Sequence, residues 1–282
     1  ADARSSQMDD RQARNRITGL FARQVDRREE KKDAGRREER SGFRQGDPHE
    51  DPGREDIPSG REAAEERHRT GVALGSLGKH GEAAACFEEA LRLDPRFDNA
   101  WLNKGVALEN LGRHEEAAAC LDAALHLAPR DAEAWYNKGV VLESLGEYDG
   151  ALACYETALG IDPSLPAPWS NKGALLVRRG RHEEAVACFN EALRTAPRFG
   201  NAWYNKGVAL GILGRHEEAV ACFSEALRLD PRSGNAWHNK GVALENLGRH
   251  EEAVACFERE LLLGPRPPKA PAPGRVRPGT RA

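Results

Sequence analysis

Apolar side chains in the middle of this chain recur at helical spacing and are broken at regular points by glycine and proline. The stretch NAWYNKGVALGILGRHEEAVACFSEALRLDPR, residues 201–232, shows the rule. Trp203, Gly207, Leu210 and Leu213 stand three and four apart and form one apolar helical face, which Gly214 ends. Ala219, Phe223, Ala226 and Leu227 begin a second stripe, which Pro231 closes. The pattern predicts a helical hairpin. Gly207 lies inside the first helix at a cost of about 1 kcal/mol, which implies that the partner helix comes too close for a side chain. Ala219 and Ala226 are expected to supply the matching small surface.

The hairpin recurs. Trp101, Trp135, Trp169, Trp203 and Trp237 are each 34 residues apart, and Cys86, Cys120, Cys154, Cys188, Cys222 and Cys256 keep the same interval. Glycine from Gly71 to Gly241 and proline from Pro95 to Pro265 do likewise, so six units are cut at 64–97, 98–131, 132–165, 166–199, 200–233 and 234–267. In the first unit Arg67 replaces the tryptophan, and in the last Glu260 replaces the second alanine; both read as polar caps on the ends of a stack. Phe257, Leu261 and Leu262 keep the last unit apolar.

A 34-residue unit with Trp, Gly, Leu, Gly, Ala, Phe, Ala and Pro at these offsets resembles the tetratricopeptide repeat family. The resemblance covers residues 64–267 and implies an all-α, right-handed superhelical solenoid of six helix-turn-helix repeats, with the first helix of each pair lining a concave groove. The family usually closes with an extra helix, whereas here the chain runs into a basic, proline-rich tail at 268–282 that disfavours one. Lys104, Lys138, Lys172, Lys206 and Lys240 stand where the family usually has an apolar residue. At 100° per residue each lies about 60° from the centre of the apolar face, so its stem packs while its ammonium reaches the edge.

Charge separates the ends from the body. Residues 1–60 hold 14 basic and 14 acidic side chains, and so charged a segment is expected to be disordered. Within it Ile17, Leu20, Phe21 and Val25 make a short apolar stripe set among arginines, read as a frayed solvated helix in preference to a membrane or partner helix. Residues 61–265 carry 23 basic and 31 acidic side chains, a net of −8, which argues against nucleic acid as a partner. No run approaches the length of a membrane span and no secretory signal opens the chain, so a cytoplasmic location without membrane association is expected. The chain opens on Ala1 with its one methionine at Met8, which leaves open that it is a piece of something longer.

The six cysteines invite a redox or metal reading. Packed helices lie about 8–10 Å apart, beyond the roughly 7 Å Cα limit of a disulfide, and no CxxC pair starts a zinc site. Each is read as a small buried hydrophobe. His114, His182, His216 and His250 recur in GRHEEA, but the second histidine of a zinc HExxH motif is absent. No asymmetric cluster of nucleophile and base stands out, so no catalytic residue, metal or cofactor is assigned and the chain is read as a non-enzyme.

Asparagine carries the binding hypothesis. Asn103, Asn137, Asn171, Asn205 and Asn239 occupy one position in five first helices, about 200° around the helix from the tryptophan and so on the groove side. A ladder of carboxamides donates to and accepts from a peptide backbone without reading its side chains. The alternative is that the asparagine bridges neighbouring helices. Leu102, Tyr136, Tyr204 and His238, with Ser170, vary at an adjacent groove position, and Glu109, Glu143, Val177, Gly211 and Glu245 vary at another; selectivity is expected there. The family's clamp for C-terminal carboxylates needs lysine at the Leu102 position and asparagine at the Val106 position, and neither is present. The expected function is a protein-interaction scaffold that binds a peptide segment of a partner in the groove. The alternative is the recognition arm of a larger enzyme whose catalytic domain lies outside this chain. The apolar last hairpin is a candidate for self-association.

Overall fold

The computed structural model describes residues 60–263, and the expectations for the charged N-terminal segment, the Ile17 stripe and the basic tail fall outside them. Twelve helices and no strands make up the described residues: α1 (Gly60–Ser76), α2 (His80–Leu93), α3 (Asp98–Asn110), α4 (His114–Leu127), α5 (Ala132–Ser144), α6 (Tyr148–Ile161), α7 (Pro166–Arg178), α8 (His182–Thr195), α9 (Gly200–Ile212), α10 (His216–Leu229), α11 (Gly234–Asn246) and α12 (His250–Leu262). The first helix starts at Gly60, ahead of the boundary at 64. The chain divides into two compact units, one ending at Pro168 and the other beginning at Trp169. In the first, α1 pairs with α2, α3 with α4 and α5 with α6, while α2 packs on α3 and α4 on α5. In the second, α9 pairs with α10 and α11 with α12, while α8 packs on α9 and α10 on α11.

Each hairpin turns on a glycine in the left-handed region, from Gly78 to Gly248, with φ between 73° and 82°. At Gly112 the turn closes with Arg113 N–H donating back to the Leu108 carbonyl at 3.0 Å, which satisfies a carbonyl the helix end leaves open. Asp131 and Ser233 cap first helices through their side chains. All six second helices lack such a cap. Instead Arg113, Arg181, Arg215 and Arg249 at the N-cap grip the glutamate three residues on, with contacts of 2.6–2.8 Å. That places a carboxylate at the positive end of the helix dipole.

The helical glycines do face close neighbours: a large side chain in every repeat and, at Gly105 and Gly139, the Ala117 and Ala151 carbonyls as well, each 3.2 Å from an added Cβ. A Cβ on Gly207 would lie 2.7 Å from Phe223 Cε1, and the same ring position closes on Gly71, Gly173 and Gly241, with Tyr155 on Gly139 and Leu121 on Gly105. An aromatic of the second helix in five hairpins, and Leu121 in the other, therefore lies against the bare backbone of the first. Ala219 and Ala226 are buried beside it. Phe189 is fully buried, a burial that contributes on the order of 2–3 kcal/mol.

A second device joins successive repeats. The indole N–H of Trp101, Trp135, Trp203 and Trp237 donates to the carbonyl of the proline six residues earlier at 2.9–3.0 Å. The proline that ends one hairpin thus anchors the tryptophan that opens the next. Over each indole lies the lysine three residues on, with Nζ 5.4–5.9 Å from the ring centroid in all five repeats. Such a contact is worth about 0.5–1 kcal/mol at an exposed site.

Candidate functional site

The first helix of each hairpin presents, on the side away from its own partner, the residues two and five positions after the tryptophan, flanked by those one and eight after it. In α3 these are Asn103, Val106, Leu102 and Glu109, and all four are buried. In α5, Tyr136, Asn137 and Val140 are buried as well. The adjacent repeat accounts for this. Asn103 Nδ2 lies 2.8 Å from His68 Nε2, 35 residues earlier, and Asn239 Nδ2 donates to the Tyr204 hydroxyl, again 35 residues earlier, at 2.9 Å. The asparagine of one repeat thus meets the variable position of the repeat before it. For Asn137 that position is Leu102, which offers no acceptor, and Asn137 Nδ2 is buried without a protein partner.

Other polar groups expected to face a ligand are tied into the fold. Glu109 is only 8% exposed; its Oε2 lies 2.7 Å from His114 Nδ1 and its Oε1 accepts from Ser144 Oγ at 2.6 Å. Glu143 accepts from the Tyr155 hydroxyl at 2.9 Å. The Lys104 and Lys138 ammoniums, besides covering their tryptophans, pair with Glu88 at 3.4 Å and Asp122 at 2.6 Å.

The second unit is more open. Ser170 and Asn171 are buried, but Tyr204, Asn205 and Val208 on α9 are half-buried, as is Asn239 on α11, while His238 and Val242 are exposed. Burial pushes the Tyr204 phenol up from its ordinary pKa, and the hydrogen bond from Asn239 offsets part of that. His238 Nδ1 lies 2.9 Å from Glu260 Oε2. Ile212 completes this surface at 56% exposure, with Val242 at 41%. Ile212 was not singled out from the sequence, although a signal was there: the same position holds Ser76, Asn110, Ser144, Arg178 and Asn246 in the other repeats.

None of the six cysteines is joined in a disulfide, and five of them are buried. Burial pushes the Cys120, Cys154, Cys222 and Cys256 thiols up, which makes the nucleophilic thiolate scarcer. Among the described residues no group of three or more His, Cys, Asp or Glu side chains is placed to hold a metal ion, and no helix is long and apolar enough to cross a membrane.

Family models described as tetratricopeptide repeat match residues 68–126, 109–166, 166–199, 200–233 and 222–255. No curated protein matches the chain. Among solved structures it is similar to YrrB, described as a TPR protein with an unusual peptide-binding site, at TM-score 0.55 and 23% identity over 64% of this chain and 93% of that one. It is also similar to MamA from Desulfovibrio magneticus RS-1, at 0.55 and 23% over 59% of this chain and 94% of that one. A chain of the APC/C hetero-tetramer Cut9-Hcn1 matches at 0.64 and 18% over 71% of this chain, which spans only 40% of that longer one. Identities this low show the fold alone.

Proposed function

The chain belongs to the tetratricopeptide repeat family, and on that premise we propose that it is a protein-interaction scaffold that holds an extended peptide segment of a partner on the first helices of its second unit. The observation that supports this is the exposure of Ile212 and Val242 beside Tyr204, Asn205, His238 and Asn239. Apolar side chains supply affinity there, and the half-buried amides and hydroxyl supply direction. An extended ligand rises about 3.4 Å per residue and neighbouring helices lie about 10 Å apart, so each helix serves roughly three ligand residues. Alternate ligand side chains then point to the same helix face. Asn103 and Asn137, together with Leu102 and Tyr136, are assigned to setting the register between repeats, and Asn171 is grouped with them by its burial. Asn205 is assigned to ligand contact, and Asn239, whose Nδ2 is held by the Tyr204 hydroxyl, to ligand contact through its carbonyl oxygen. YrrB, with its peptide-binding site, offers a precedent on the same fold.

The test is selection of a displayed library of random dodecapeptides on the full chain. The wild type should enrich a family of sequences with apolar residues at alternate positions. Ile212→Lys with Val242→Lys should abolish the enrichment while leaving helicity and melting within a few degrees, because both side chains already face solvent. Asn103→Ala should lower the melting point and leave the enriched family intact. A wild type that enriches nothing, or a double variant that enriches the same family, defeats the reading.

A further inference from the structure

The lysine three residues after the tryptophan has a carboxylate partner in the first unit and has lost it in the last two repeats. Lys104 pairs with Glu88 and Lys138 with Asp122, each reaching from a first helix to the second helix of the repeat before. Sixteen residues before Lys206 stands Asn190, and sixteen before Lys240 stands Ser224, so both carboxylates are replaced by neutral side chains. The Ser224 hydroxyl is turned onto its own helix, where it donates to the Val220 carbonyl at 2.7 Å. No other acid takes the empty place. Every carboxylate of α8 and α10 is held by an arginine at 2.6–3.3 Å. Lys206 and Lys240 make no ion pair among the described residues, and their ammoniums rest over the indoles of Trp203 and Trp237, 5.4 and 5.7 Å from the ring centroids.

These two cations stand away from the groove. On α9, Lys206 lies about 100° from Asn205 and about 160° from Val208, on the side of the second helices. The Arg215 hydrogen bond, and after it the Lys206 charge, hold the Glu218 carboxyl of α10 below its ordinary value; Arg249 and Lys240 do the same to Glu252 of α12. Both lysines are half-buried and braced on their indoles, so much of the freedom that a flexible side chain gives up on binding is already restricted. The first unit shows which group belongs there: Glu88 and Asp122 fill the equivalent place with a carboxylate. Equivalent residues on neighbouring first helices lie about 10 Å apart, and carboxylates two or four residues apart on an extended peptide lie about 7 or 14 Å apart, within reach of two lysine stems. A nucleic acid strand fits less well, because it carries a phosphate at every nucleotide and would press several of them on the exposed Glu183 and Glu217.

We propose that the second-helix side of the second unit binds an acidic peptide segment of a partner, whose carboxylates, two or four residues apart, pair with Lys206 and Lys240. The surface excludes Ile212 and Val242 and stands whether or not they hold a ligand.

Fluorescence anisotropy of a labelled dodecapeptide of alternating Glu and Ser, titrated with the full chain at low salt, tests this. The wild type should bind it and ignore the same peptide with Gln in place of Glu. Lys206→Gln with Lys240→Gln should weaken binding by roughly tenfold. Asn190→Glu with Ser224→Glu should weaken it as much, because each lysine then has the internal carboxylate that Lys104 and Lys138 already have. This second variant keeps both lysines and should melt no lower than the wild type, so its loss of binding is not a loss of fold. Ile212→Ser with Val242→Ser should leave binding unchanged. A wild type that does not bind, or either charge variant binding as well as the wild type, overturns the proposal. So does loss of binding in the Ile212 and Val242 variant, which would move the site to the groove, or an oligodeoxythymidylate that binds more tightly than the peptide, which would mark nucleic acid as the occupant.

Discussion

A glycine inside a helix is normally a liability of about 1 kcal/mol, so replacing it by alanine is expected to stabilise. Gly207 should do the opposite. Its added methyl would meet the Phe223 ring at 2.7 Å, and pushing a buried ring aside costs about 1–3 kcal/mol. Gly211, in the same helix, has nothing within 4 Å of an added Cβ. Gly207→Ala should therefore lower the urea midpoint, while Gly211→Ala raises it by the equivalent of about 0.5–1 kcal/mol. Equal shifts in one direction would show that propensity, not contact, governs both. That something approaches Gly207 was readable from its recurrence in the sequence. That it is a ring 16 residues on was not, because helical spacing orders residues along a face and says nothing about which large side chain of the partner bends over which gap. The indole–proline hydrogen bond was hidden for a similar reason: it forms in the connection between hairpins, where no periodicity speaks.

At the level of the helix, the second helices start without a side-chain cap, and four of the six carry an arginine–glutamate clasp instead. The arginine hydrogen bond holds the carboxyls of Glu116, Glu184, Glu218 and Glu252 below their ordinary value of 4.5. A carboxyl whose folded pKa is depressed adds stability above its unfolded value and loses it as pH falls through the folded one. The melting temperature should thus be level from about pH 7 to pH 5 and fall below that. A variant with Arg113, Arg181, Arg215 and Arg249 all changed to Gln should melt lower at neutral pH, with the gap closing in acid as both forms lose the glutamate charge. The clasps are exposed, so the gap should be small and should shrink further in salt. A gap that persists at low pH would point to lost packing of the arginine stems instead. These helices were legible in outline: the apolar stripes, glycines and prolines predict an all-α fold of repeated helices, and the described residues form one. The groove was less so. The angle of Asn103 on its own helix shows that it faces away from the hairpin partner, but only the stacking of repeats shows that His68 already fills that space.

For the molecule as a whole, the asparagines and tryptophans do their work between repeats, so identity at a position matters less than the distance to its counterpart. Trp237 reaches the carbonyl of Pro231, six residues back, and Trp203 reaches that of Pro197 in the same way. Removing residues 200–233 would set Trp237 six residues after Pro197 and restore the same hydrogen bond across the new joint. Removing 200–232 would leave one residue too many and turn the whole following helix by about 100°. The first deletion, though larger, should yield a folded chain that melts cooperatively; the second should lose the helices after the joint, as read by far-UV circular dichroism. The converse result would mean that each hairpin is held by its own core and needs no anchor to its neighbour. Such a gene tolerates the loss or gain of a whole period better than a slip of a single codon, and its length can change in increments of 34 residues without any new sequence having to be invented at the seam.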